Sequence, residues 1–130
     1  MYISLNILNN AVVENPDGSK QSVQGLLKLN INVDNINFII KPLGQPALVV
    51  SNGVNFIATD NIPENIIGLH RFQIKEGGFV WLSPKHIVYY ASTDEIGIYL
   101  IGFTGGNRVS IKATGQEVHD MISVSIITTP

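Results

Sequence analysis

Apolar and polar residues alternate along much of this chain, and strict alternation puts each set of side chains on its own side of an extended strand. Leu27, Leu29, Ile31 and Val33 alternate with Lys28, Asn30 and Asn32; after Asp34-Asn35 the pattern resumes with Ile36, Phe38 and Ile40. Asp and Asn tolerate the positive φ of tight turns. A two-residue turn at Asp34-Asn35 therefore predicts a hairpin with all seven apolar residues on one face. A second hairpin is expected around Val50-Ser51-Asn52-Gly53-Val54, with a three-residue loop ending in glycine between strands at 47–50 and 54–58.

Turn signals at Asn15-Pro16-Asp17-Gly18, Glu76-Gly77-Gly78 and Thr104-Gly105-Gly106-Asn107 divide the remainder. Between them, residues 71–75, 79–82, 86–91, 96–103 and 108–113 have strand composition, and residues 2–8 open the sheet with Ile3, Leu5 and Ile7. One helix is expected near the end. Thr114-Gly115-Gln116-Glu117 is a capping box, and Val118, Met121 and Ile122 follow at helical spacing. Ser123-Val124-Ser125-Ile126 returns to alternation and predicts a terminal strand, while residues 63–68 suggest a single helical turn. Pro42 and Pro46 mark an internal boundary between sheet segments, and Pro84 suits an edge or bend. These elements predict an all-β fold in a single domain, residues 1–130: a barrel or sandwich of antiparallel hairpins with one short C-terminal helix.

Composition changes the picture in one respect. Charged residues make up 14% of the chain and hydrophobic residues 45%, against roughly 25% charged in ordinary soluble domains. So thin a charged coat protects poorly against association, which points to a surface covered by partner chains; Asn, Ser, Thr and Gln supplying the polar surface is the alternative. The eight Lys and Arg residues never cluster, so no basic stripe for nucleic acid is visible. There is no cysteine, no long apolar run, no basic leader and no Asn-x-Ser/Thr acceptor among the thirteen asparagines. The expectation is a soluble protein made in the cytoplasm, without membrane contact.

Candidate chemistry is sparse. His70, His86 and His119 lack H-x-H or H-E-x-x-H spacing. Thr104-Gly105-Gly106-Asn107-Arg108 leads into a strand rather than a helix, which suits a hairpin turn better than a phosphate cradle. Asp60, Glu64, Asp94 and Glu95 form no calcium loop. No catalytic, cofactor-binding or metal site is expected, and no enzyme activity. Phe72, Phe79, Trp81, Tyr89, Tyr90, Tyr99 and Phe103 fall in the second half. They suit core packing, or base stacking if Arg71, Lys75, Lys85 and Arg108 form a groove. A pocket near His70 or His86 is a further alternative.

The span from Trp81 to Ile122 runs strand, strand, glycine-rich hairpin, strand and capped helix, and it looks like a generic small-barrel pattern. With the cysteine-free composition, in which Ile and Asn together form about a quarter of the chain, the whole is similar in character to small structural proteins of tailed bacteriophage virions. The ring, connector and capsid-decorating proteins of crAss-like phages are one such group. The resemblance implies a multi-copy virion subunit, assembled in the host cytoplasm, whose partners are copies of itself or other structural proteins. It carries no functional residue.

Overall fold

The alternating segments form ten strands in one antiparallel sheet. A computed structural model describes residues 1–127. The strands are β1 (Tyr2–Glu14), β2 (Lys20–Asn32), β3 (Phe38–Pro42), β4 (Ala47–Ser51), β5 (Val54–Ala58), β6 (His70–Ile74), β7 (Gly78–Leu82), β8 (Ile87–Ser92), β9 (Ile98–Phe103) and β10 (Arg108–Lys112), and one helix, α1 (Gly115–Ile127), follows. The order across the sheet is β2-β1-β5-β4-β3-β7-β6-β10-β9-β8. The sheet is open, with β2 and β8 at its edges, so the barrel alternative does not hold.

The three central strands are buried on both faces. Ile39 lies opposite Val49 and Trp81 in register, and these share one core with Leu5, Ile7, Ile31, Val33, Ile36, Ile66 and Leu69. Phe38 lies opposite Val50 and Leu82, on the other face. There they join Ile74, Ile101, Phe103, Ile111, Val118 and Met121. The N-terminal strands and the 62–69 segment thus pack on one side of the sheet, and β9, β10 and α1 on the other. Side-chain alternation with period two makes this division automatic once the register is set.

That arrangement corrects the first predicted hairpin. Residues 27–40 do not present one face: β2 is paired with β1 along all thirteen residues, and β3 lies between β4 and β7. The Asn32 side chain accepts from the Asp34 N–H at 3.0 Å and caps a 3-10 turn over Val33–Asn35. This turn carries the chain from the edge to the sheet centre. Val33 and Ile36 enter one core, and Phe38 and Ile40 the other.

Four smaller expectations also change. The β4–β5 loop has two residues, since Ser51 pairs with Val54, and both Asn52 (φ 47°) and Gly53 (φ 81°) are left-handed, as a type I′ turn requires. Residues 63–68 form no helix; a turn closes with Leu69 N–H donating to the Ile66 carbonyl. Pro42 and Pro46 flank a hairpin turn between paired strands rather than a boundary. The terminal strand is absent, because α1 continues through Ser123–Ile126 to Ile127. Val118, Ile122 and Ile126 recur every four residues, and that period prevails over the local alternation. The capping box itself forms: Glu117 N–H donates to Thr114 Oγ1 at 3.1 Å, and Thr114 N–H donates to Glu117 Oε1 at 3.0 Å.

A buried asparagine joins the sheet centre to its turns. Asn37 donates from Nδ2 to the Thr104 carbonyl and accepts at Oδ1 from Asn52 N–H. Its backbone N–H donates to Val50, and its carbonyl accepts from Ser83 N–H. The neighbouring Ser83 hydroxyl is buried without a protein partner.

These contacts give three expected outcomes, measured by urea unfolding. Asn37→Ala removes two hydrogen bonds made by a buried amide to exposed turns and should cost about 0.5–1.5 kcal/mol for each, whereas Ser83→Ala removes an unpaired hydroxyl and should be neutral or stabilising. Phe38, buried against Phe103 with ring centroids 4.7 Å apart, should cost about 3–5 kcal/mol on replacement by alanine.

Candidate functional site

Strands β1 and β2 extend well past the body of the sheet. Their pairing runs without a bulge from Tyr2–Asn32 to Glu14–Lys20, yet β1 meets β5 only at Ile7–Ala58. Beside that pair sits a clamp on Asn6. The Asp60 carboxylate accepts from Asn6 N–H at 2.8 Å and from Asn6 Nδ2 at 3.0 Å, and Thr59 N–H donates to the Asn6 carbonyl. Those two hydrogen bonds from Asn6 hold the Asp60 carboxyl below the usual aspartate range. Beyond the clamp, residues 9–25 form a two-stranded arm.

The arm's closing turn follows from local chemistry. Asp17 Oδ1 accepts from the N–H and hydroxyl of Ser19, Gly18 takes φ 85°, and Asn15 N–H donates to the Ser19 carbonyl at 2.7 Å. Glu14 and Lys20 then stand opposite each other as the first cross-strand pair. The turn is marked in the sequence, but its alternation ends β1 at residue 8 and begins β2 at residue 27. Residues 9–10 and 20–22 are polar and Gly25 has low strand propensity, so no alternation marks the arm. The missed signal was the spacing of the turn between Val12-Val13 and Val23.

Isolated two-stranded ribbons are marginal in water. Among the described residues this one nonetheless leaves both backbone edges unpaired from residue 9 onward, and β2 has no second neighbour over its whole length. Leu26 and Leu27 are exposed at 63% and 51%. The opposite edge is different. Strand β8 has six residues and a register shift between Ile87 and Tyr89. Tyr89 lies across Gly102, where a Cβ would come within 2.2 Å of the ring.

The residues singled out in the sequence do not converge. His86 Nε2 bonds the Asp34 carbonyl at 2.7 Å, His119 Nε2 meets Ser123 Oγ along the helix, and His70 lines a shallow groove of about 310 Å³ with Arg71, Glu117 and Asp120. Among the described residues no three His, Asp or Glu side chains form a metal-binding group. Trp81 is buried and donates from Nε1 to the Glu64 carbonyl, and Tyr99 packs against the second core. Three of the four cations considered for stacking are ion-paired: Arg71 with Glu64 (2.8 Å), Lys75 with Glu95 (2.7 Å) and Lys85 with Asp34 (2.5 Å). Arg71 also lies 4.6 Å from the centre of the Phe79 ring. The glycine-rich loops at 76–78 and 104–107 are hairpin turns, and among the described residues no helix is long and apolar enough to cross a membrane.

No family model, curated protein or solved structure matches the chain.

Burial holds the His70 imidazole below its ordinary pKa of 6.5. The unfolded chain therefore binds the proton first, so stability is full above that pH and falls as the pH drops below about 6.5 toward the folded-state value. Urea midpoints between pH 8 and 5 should show this decline, and His70→Gln should flatten it.

Proposed function

We propose that this protein is a structural subunit, working in many copies and joining its neighbours by strand addition, of the kind that builds the virions of tailed bacteriophages. The observation that carries the reading is the β1–β2 arm. It projects past the Asn6–Asp60 clamp with both edges unpaired, and its base carries exposed Leu26 and Leu27. Natural sheets protect long edges with bulges, charges or short strands. Strand β8 is short and bulged, whereas β2 runs straight for thirteen residues with Lys20 and Lys28 as its charges. An edge of that kind suits pairing with another chain.

The sparse charge supports the same reading, since association removes the need for a highly charged coat. A functional contact of this type buries about 1,200–2,000 Å² in total. Contact rather than chemistry is the mode of action: His70, His86 and His119 serve three separate neighbourhoods, and Arg71, Lys75 and Lys85 sit in local ion pairs.

Light scattering on the purified chain at micromolar concentration should give a mass above the 14.2 kDa of one chain. Asn9 and Gly25 lie opposite each other in phase with the hydrogen-bonded pairs Met1–Val33 and Asn15–Ser19, so replacing residues 10–24 by Asn-Gly closes a short hairpin without a register change. That variant should remain folded and lose the higher mass. A monomeric full-length protein, or an armless variant that assembles unchanged, would overturn the proposal.

A further inference from the structure

We infer that the free edge of β2 pairs antiparallel with the same edge of a second copy, about a twofold axis at Leu26, joining two ten-stranded sheets into one. This inference rests on the assembly reading above and names the surface and the partner.

Length is the first argument. At about 3.4 Å per residue, the thirteen residues of β2 present an edge of roughly 44 Å. The edge of β8 is six residues long and interrupted by its register shift, so it would leave more than half of β2 unmatched. A second β2 matches it throughout. Alternate residues point their N–H and C=O groups away from β1, so the twofold ladder would close about 12–14 hydrogen bonds. Stable protein interfaces carry about 10 ± 5.

The second argument is the register. Leu26 is the midpoint of Lys20–Asn32. A twofold there sets Leu26 against Leu26, Ser22 against Asn30 and Lys20 against Asn32, and it keeps the two lysines of each strand away from one another. Lys28 likewise meets an uncharged position. Gly25 has open space beside it and falls opposite Leu27, which is 51% exposed in the single chain. Each copy thus offers a large apolar residue where the other offers none, and the same patch serves on both sides, as an isologous contact requires.

The absence of cysteine makes the register directly testable. Opposed residues in an antiparallel pair have Cα atoms about 4.5–5.5 Å apart, within the range a disulfide spans. Under mild oxidation Leu26→Cys should form a disulfide-linked dimer quantitatively. Ser22→Cys and Asn30→Cys should stay unlinked alone, because each lies roughly 27 Å from its own copy, and should link when the two are mixed. Light scattering of each reduced variant is run alongside. Self-linking by Ser22→Cys instead of Leu26→Cys would refute the register. An oligomeric mass with no linking at any of the three positions would refute pairing through β2 and leave the assembly reading intact. A monomeric mass would overturn both.

Discussion

Burial of both faces of β4, β3 and β7 is the constraint on which the rest of the molecule depends. A sheet in water needs cover wherever its side chains are apolar, and here Ile39, Val49 and Trp81 need it on one side while Phe38, Val50 and Leu82 need it on the other. The chain meets this with different material on each face. β1, β5 and the 62–69 segment supply one cover; β9, β10 and α1 supply the second. The ends of the sheet are therefore committed to opposite sides, and neither can close on the other. Two edge strands are the result.

Polar groups set the geometry at the points where this plan turns. Asn37 ties the first residues of β3 to the β4–β5 turn and to the loop after β9. Asn32 stops β2 and starts the 3-10 turn, whose Asp34 reaches Lys85 while its carbonyl reaches His86. Hydrogen bonds of this kind contribute little net stability when made and cost more when one partner is missing, so they select the crossing without driving it. The driving force is the apolar area beneath them.

How much of this was legible in the sequence depended on the range of the interaction. Strands bounded by glycine turns, such as β9 and β10 around Thr104–Asn107, were readable, because turn chemistry and alternation are local. So was the cap at Thr114 and Glu117. Pairing partners were not. Residues 27–40 satisfy a hairpin as well as they satisfy two separated strands, and only the competition of β1 for β2 and of β7 for β3 decides between them. The candidate site was hidden for another reason. Among the described side chains the arm adds none to either core, so hydrophobic periodicity carries no record of it. What pointed toward it was indirect: a shortage of charge across the whole chain.

The Asn6–Asp60 clamp separates the residues that make the fold from those that make the arm. At and before it lie Leu5, Ile7 and Ile31, whose replacement disturbs the core; past Leu8 runs a ribbon in which β1 and β2 pair with each other. Selection can therefore act on the two independently. Arm length and composition are free to drift with whatever surface they meet, at little risk to folding, while the body stays constant. Related chains would then tolerate insertions in the arm as two residues added to each strand, since hydrogen-bonded and non-hydrogen-bonded pairs alternate with period two and a single added residue would shift one strand against the other.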